Sequence, residues 1–346
     1  MRISDLGEFP LIDRVAELVT VDRPDVIVGI GDDVAVLDAG GEDWLLAKVD
    51  IQVEGVHFLR EAIHPRQLGR KALAINLSDI AAAGGQPHYA LVSLALPADT
   101  DVGWVDELYR GLRQEADRFG VAVVGGNMAS SPDGIVVDVF VLGRVQRQHL
   151  LLRSGARPGD RVLVTGTLGD AAAGLALLLA PSIGVDAAVR ESLLARHFTP
   201  TPRLAEARVI ARSGRATAMI DLSDGLSSDV GHICDQSQVG VRIWAGCLPI
   251  SPAARRVAAL SDRPPWELAL EGGEDYELCF TVPPAAAEGL ASSIEQGTGT
   301  RVTIIGEILP LCEGRWLVLE GGEVRPLEAR GWVHFGPGEL SEGKER

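Results

Sequence analysis

The chain has 346 residues, 46% of them apolar, and a formal charge of -16. That length and apolar content suffice for two domains with buried cores, which excludes a disordered or fibrous protein. The acidic excess, relieved by no long basic tract, excludes nucleic acid and anionic membrane as main partners, so a phosphorylated ligand needs a local cation as mediator.

The first eighteen residues mix Arg2, Asp5, Glu8, Asp13 and Arg14 with apolar side chains, unlike the unbroken apolar core of an export signal. The longest apolar stretch, 171–180, falls short of the roughly 20 residues of a membrane helix. A cytoplasmic location without membrane attachment is therefore expected. Cys234, Cys247, Cys279 and Cys312 form no CxxC pair and read as reduced, mostly buried thiols.

In chain order, runs rich in Val, Ile and Leu bounded by Gly, Pro or Asp predict strands over 26–30, 44–49, 90–96, 121–124 and 135–141. Helical spacing predicts helices over 64–83 and 102–119, the second capped by Asp101. A boundary falls within 144–160, where a polar stretch and the Gly155-Ala-Arg-Pro-Gly-Asp160 turn separate two apolar blocks. Beyond it, strands are expected over 162–165, 218–220, 240–243, 278–282 and 302–305, with helices over 171–179, 226–237 and 285–296. The fold class is thus α/β (α+β) with two domains, 1–146 and 147–338, and a flexible polar tail over 339–346.

Acidic residues recur in Gly- and Ser-rich breaks after apolar runs: Gly31-Asp32-Asp33, Val49-Asp50, Asn76-Leu77-Ser78-Asp79 and Asp221-Leu222-Ser223-Asp224-Gly225. Gathered carboxylates repel one another unless hard divalent cations stand between them, and Mg²⁺ takes such oxygens together with phosphates. The Asn76 and Asp221 segments echo each other, and both are expected to set a carboxylate in the first turn of a helix, with plain N-capping as the bland alternative. Strand alternation puts Lys48, Asp50 and Gln52 on one face, and Gly55 ends that strand before His57, which taken alone reads as a structural histidine rather than a ligand. Gly125-Gly126-Asn127 after an apolar strand, and the 166–169 turn leading into a helix, each suit close approach to an anion or are simple turns. In Gly272-Gly273-Glu274-Asp275-Tyr276-Glu277, Glu274 is a candidate acceptor for a cationic ring, against the alternative of a charged turn.

Taken in order, Gly7-Glu8-Phe9, Gly29-Ile-Gly-Asp-Asp33, Asp50 with Val53-Glu-Gly-Val-His-Phe58, Lys71 through Asp79, Arg153-Ser-Gly-Ala, Asp221 through Leu226 and Gly272 through Leu278 resemble the thiamine-monophosphate kinase family nearly end to end. Aminoimidazole ribonucleotide synthetase, selenophosphate synthetase and a hydrogenase maturation protein share its ATP-binding architecture. The resemblance implies a homodimer joined through a β-barrel and several Mg²⁺ ions holding ATP. It also implies in-line transfer of the γ-phosphate to thiamine phosphate, giving thiamine diphosphate and ADP. It implies Asp33, Asp50, Asp79, Asp221 and Asp224 as metal ligands, and Tyr109, Gly126, Arg153 and Ser223 as ATP contacts. His57, Glu274 and Trp332 are implied around the thiamine moiety.

Two positions depart from the family pattern. Lys48-Val49 stands where a hydroxyl residue precedes the aspartate, so Val49 occupies a metal-ligand position without a side-chain ligand. Asn127 stands where the family has a carboxylate, keeping a carbonyl oxygen for metal or ATP but losing a charge. A sister ATP-dependent synthetase and a non-catalytic nucleotide or thiamine-phosphate binder are the competing readings.

Overall fold

The computed structural model describes residues 2–335, and the tail expected over 339–346 lies outside the described residues. Two sheets organise the chain. The first uses β1 (Val26–Val28), β2 (Ala35–Leu37), β3 (Asp43–Val53), β4 (Gln86–Leu96), β5 (Ala122–Ser130) and β6 (Val136–Gln146), in the order β1-β2-β3-β6-β4-β5. The second uses β7 (Arg161–Thr165), β8 (Ala218–Asp221), β9 (Val239–Trp244), β10 (Leu278–Val282), β11 (Val302–Pro310), β12 (Arg315–Val318) and β13 (Val324–Pro326). Its order is β13-β12-β9-β11-β7-β10-β8, antiparallel except for the β9–β12 pair.

Helices α1 (Ile3–Leu6), α2 (Glu8–Val19), α3 (Pro65–Ala82) and α4 (Val102–Phe119) belong to the first half. The second half adds α5 (Asp170–Leu179), α6 (Ala187–Phe198), α7 (Leu204–Ser213), α8 (Leu226–Ser237), α9 (Pro252–Leu260), α10 (Pro265–Glu271) and α11 (Pro284–Thr298). This is the expected α+β architecture.

Alternation decides what the first sheet offers to each side. On β3, Lys48, Asp50 and Gln52 turn inward, whereas Val49 and Ile51 are exposed on the opposite face. Val92 of β4 and Val137, Val139 and Val141 of β6 complete the inner face.

Beneath it runs α3, which opens with Pro65 in its first turn and His64 as its cap, the His64 ring accepting the Arg66 N–H. It packs against β3 and β6, against α4, and against β8 and α7 of the second half. Burial on every side explains a helix without a single apolar stripe. The α3–α4 crossing is close enough to demand glycine: a Cβ on Gly69 would stand 2.0 Å from the Leu108 carbonyl oxygen, and one on Gly111 1.9 Å from that of Arg66. Leu73, Leu77 and Val139 share one apolar cluster with Met219, Leu278 and Phe280, so hydrophobic contact joins the two sheets.

Several expectations are corrected. Gly125-Gly126-Asn127 is no turn: β5 continues to Ser130 as an exposed edge strand. Gly126 is required there because a Cβ would fall 1.8 Å from the Val92 carbonyl oxygen, beside a bulge in the β4–β5 ladder. Asn76 to Asp79 lies in the C-terminal part of α3 rather than its first turn, and the carboxylate that caps α8 is Asp229, not Asp224. Of the four free cysteines, Cys234 and Cys279 are buried but Cys247 and Cys312 are exposed. The sequence pattern does not reveal β2, β12 and β13 or the helices α1, α2, α6, α7, α9 and α10. Among the described residues, no helix is long and apolar enough to cross a membrane.

Candidate active site

Asp79 is buried in the last turn of α3, where the helix dipole disfavours a carboxylate and burial pushes its pKa well above the ordinary value. An internal cation compensates. The Lys48 ammonium stands 2.9 Å from Asp79 Oδ1 and 3.2 Å from Asp50 Oδ1. Burial alone would lower the Lys48 pKa, but Asp79 and Asp50 hold it above its usual value.

Asp33 enters the same space from the turn before β2. The Arg153 guanidinium meets its Oδ1 through Nε at 2.8 Å and Nη2 at 2.5 Å, and the Arg153 backbone N–H donates to Asp32 Oδ2 at 3.2 Å. Asp221, the last residue of β8, faces them. Burial, then the charge of Asp33, pushes it up to about 7. Burial and Asp33 likewise raise Asp32 to about 6.

One carboxylate oxygen each from Asp33, Asp79 and Asp221 lies within 4.8 Å of the other two. Asn76 Oδ1 is buried without a hydrogen-bond partner, and the Ser78 hydroxyl is the one side-chain donor that eases the Asp221 carboxylate among the described residues. A buried acceptor left unpaired is costly, and three carboxylates facing one another add repulsion. This donor set fits a hard divalent cation such as Mg²⁺.

The next residues of the Asp221 segment build the opposite wall. The consecutive carbonyls of Leu222, Ser223 and Asp224 accept the N–H groups of Tyr276 (2.8 Å), Glu274 (2.7 Å) and Trp332 (3.0 Å). Two distant segments, 274–276 and the one carrying Trp332, are thereby fastened to one. Glu274 and Tyr276 take left-handed backbone conformations, φ 57° and 50°, unusual for residues with side chains and held here by those bonds.

Glu274 Oε1 stands 2.6 Å from the ammonium of Lys71, which is 1% exposed, and Oε2 stands 2.8 Å from His197 Nδ1. Burial would raise Glu274, yet Lys71 and His197 hold it down to about 2. Its charge is therefore countered within the protein rather than left for a cationic ring. Beside it, the rings of His57, His334 and Trp332 follow one another at 5.1 and 5.8 Å. His57 Nδ1 accepts the Val53 N–H at 3.0 Å, and burial with His334 lowers its pKa.

Asp224 borders both walls and is pushed up to about 6 by burial, then by Glu8 of α2. Glu8 in turn accepts the His334 N–H at 2.7 Å. Lys71, His197, Glu8 and His334 are site residues to which sequence reading gave no role. Lys71 and Glu8 fell inside quoted motifs, whereas His197 comes from α6, a helix the pattern did not reveal.

Other expected ligands stand apart. The Val49 side chain is 52% exposed on the outer face, opposite to Asp50, which corrects its place in the metal set. Asp50 pairs in register with Val139, Val139 with Val92 and Val92 with Gly126. Gly126 and its neighbour Asn127 are thus three strands from Asp50, about 14 Å along the sheet, too far to share one ion with it. Tyr109 lies in a cleft of about 670 Å³ with Arg66, Arg110 and Arg113. Arg66 precedes Asp79 by thirteen residues, about 20 Å of helix. The 166–169 turn is no free anion site: Gly169 N–H already donates to Asp275 Oδ2 at 2.8 Å.

Residues 31–145 match the family described as AIR synthase related protein, N-terminal domain, and residues 157–315 match AIR synthase related protein, C-terminal domain. The thiamine-monophosphate kinase of Escherichia coli O157:H7 is 39% identical over 329 residues, 95% of this chain and 98% of that protein. The thiamine-monophosphate kinase of Aquifex aeolicus (strain VF5) is 37% identical over 335 residues, 97% of this chain and all of that protein. A solved structure described as AaThiL complexed with AMPPCP and TMP superposes with a TM-score of 0.82 at 36% identity, over 96% of this chain and 99% of that one.

Proposed function

This chain belongs to the thiamine-monophosphate kinase family, and we propose that the acidic bowl and the aromatic wall are the two halves of its active site. The reaction is the ATP-dependent phosphorylation of thiamine phosphate, giving thiamine diphosphate and ADP. The γ-phosphate passes in line between two anionic reactants, with no covalent protein nucleophile. The observation that carries this reading is the ladder from Leu222, Ser223 and Asp224, which ties the carboxylate side to Glu274 and Trp332.

Asp33, Asp50, Asp79, Asp221 and Asp224 hold several Mg²⁺ ions. Bound there, Mg²⁺ supplies positioning and neutralises charge between donor and acceptor phosphates. Arg153 contacts ATP, its guanidinium exchanging Asp33 for a phosphate oxygen. Ser223 contacts the nucleotide from the loop before α8. Gly126 and Asn127, with Tyr109 a further candidate, serve ATP at a distance from the Asp50 carboxylate.

His57 and Trp332 enclose the thiamine moiety, and an aromatic face suits a thiazolium cation. Each oxygen of Glu274 keeps a lone pair for a donor on the substrate ring, while Lys71 and His197 fix its direction.

The protein works in the cytoplasm as a homodimer formed through the outer face of the first sheet. Val49, Ile51, Tyr89 and Leu91 are exposed there, and Met128 on the edge strand is 62% exposed. Sedimentation equilibrium returning one chain mass would remove the dimer, and recovery of the protein in an envelope fraction would remove the location.

Incubation with Mg²⁺ and ATP, followed by separation of products, tests the activity. Thiamine diphosphate and ADP are expected from thiamine phosphate, none from free thiamine, and none with EDTA present. Binding of both ligands without ADP release leaves a non-catalytic binder instead.

A further inference from the structure

We infer that the Lys48 ammonium is a resident cation of this site: it fills the place between Asp50 and Asp79 that a divalent ion would otherwise take, so the bowl binds one ion fewer than its carboxylates invite. The inference deepens the kinase reading and rests on it only for the use of a nucleotide as co-ligand.

Three observations carry it. Alternation on β3 sends Lys48 to the same side as Asp50, and its largely buried side chain ends 3.2 Å from Asp50 and 2.9 Å from Asp79. Asp79 also belongs to the second group, Asp33-Asp79-Asp221, so the ammonium and a divalent ion are neighbours across one carboxylate. Finally, Val49 turns outward and brings no oxygen, so this stretch of β3 delivers a positive charge beside Asp50.

An ammonium differs from a metal ion in ways that matter here. It is tethered, carries a single charge and directs three N–H donors. Two are used by Asp50 and Asp79, leaving one for an oxygen of the ligand. Because it does not dissociate, this part of the bowl is assembled before any Mg²⁺ arrives.

The test counts Mn²⁺ bound per chain by electron paramagnetic resonance, with a non-hydrolysable ATP analogue, in wild type, Lys48→Met and Lys48→Arg. Lys48→Met should bind one more ion than wild type, with its tightest Mn²⁺ affinity raised at least about tenfold on loss of a positive charge at contact distance. In EDTA it should melt below wild type and recover on adding Mn²⁺. Lys48→Arg should match wild type.

Equal ion counts in all three proteins overturn the inference. If Lys48→Met does not fold, Lys48→Ser takes its place in the count. Failure of both to fold even with Mn²⁺ also overturns it, since a divalent ion then cannot replace the ammonium. An extra ion in a protein that forms no thiamine diphosphate sinks the kinase reading alone and leaves this one standing.

Discussion

The cage around Glu277 and the bowl around Asp221 bury carboxylates of the same chemistry and differ in how far the charge is answered. Glu277 receives Arg203 Nε at 2.6 Å and Nη2 at 2.5 Å, Arg196 Nη2 at 2.8 Å and the Thr165 hydroxyl at 2.7 Å. Although burial would raise it, Arg203 and Arg196 hold it below its ordinary value. In the bowl, Lys48 and Arg153 are the only cations paired with Asp33, Asp50 and Asp79 among the described residues, and neither forms an ion pair with Asp221. Complete pairing makes an element of structure, and incomplete pairing leaves a place for a ligand.

The comparison is broken most severely at the cage. Glu277→Gln leaves Arg203 and Arg196 only the more distant carboxylates of Glu206 (3.8 Å) and Asp170 (3.9 Å) and should cost about 3 kcal/mol in denaturant unfolding. Thiamine diphosphate formation per folded molecule should hardly change. A loss below 1 kcal/mol would mean that the cage is not the structural partner of the bowl.

Next in size is a pH dependence of opposite sign in the two regions. Glu277 is depressed, so its stability is present above its unfolded value of 4.5 and is lost as pH falls through the folded value. Asp221 is raised from 3.8 to about 7, so the folded state holds the proton more tightly, and stability is lost as pH rises across that interval. Metal-free protein should therefore melt highest on the acid side of neutrality and decline toward pH 7. Saturating Mg²⁺ should flatten the decline, and thermal melts from pH 4 to 8 that are flat without metal would contradict the open bowl.

The smallest effect belongs to the aromatic wall. Trp332→Ala removes one face worth about 1–2 kcal/mol and should raise KM for thiamine phosphate about 5- to 30-fold, with KM for ATP unchanged in steady-state assays. A shift confined to ATP would move Trp332 to the other side of the site.

How much of this was legible in the sequence depended on whether a residue's role was local. Asp33, Asp50 and Asp221 stood beside turns or within an alternating strand, and their gathering was readable. Asp79 reads as a ligand candidate but not as the end of a buried helix, since small and apolar residues surround Asn76 and Asp79 in 74–82 without an amphipathic phase. The three acids of 274–277 were indistinguishable from composition. In the fold Glu274 meets Lys71, Asp275 takes backbone N–H groups and Glu277 enters the cage. Those fates depend on α3, α5, α6 and Arg203, elements 70 to 200 residues away in sequence. Asn127 misleads for the same reason: two glycines suggest a turn, whereas a close approach between β4 and β5 demands Gly126.

The run of carbonyls from Leu222 to Asp224 has a mechanical corollary. Adjacent peptide planes are rigid and about 3.8 Å apart, so groups hung from successive carbonyls inherit a fixed spacing. On the proposed reading, the acidic bowl and the aromatic wall are gauged from one common datum, the backbone of 222–224.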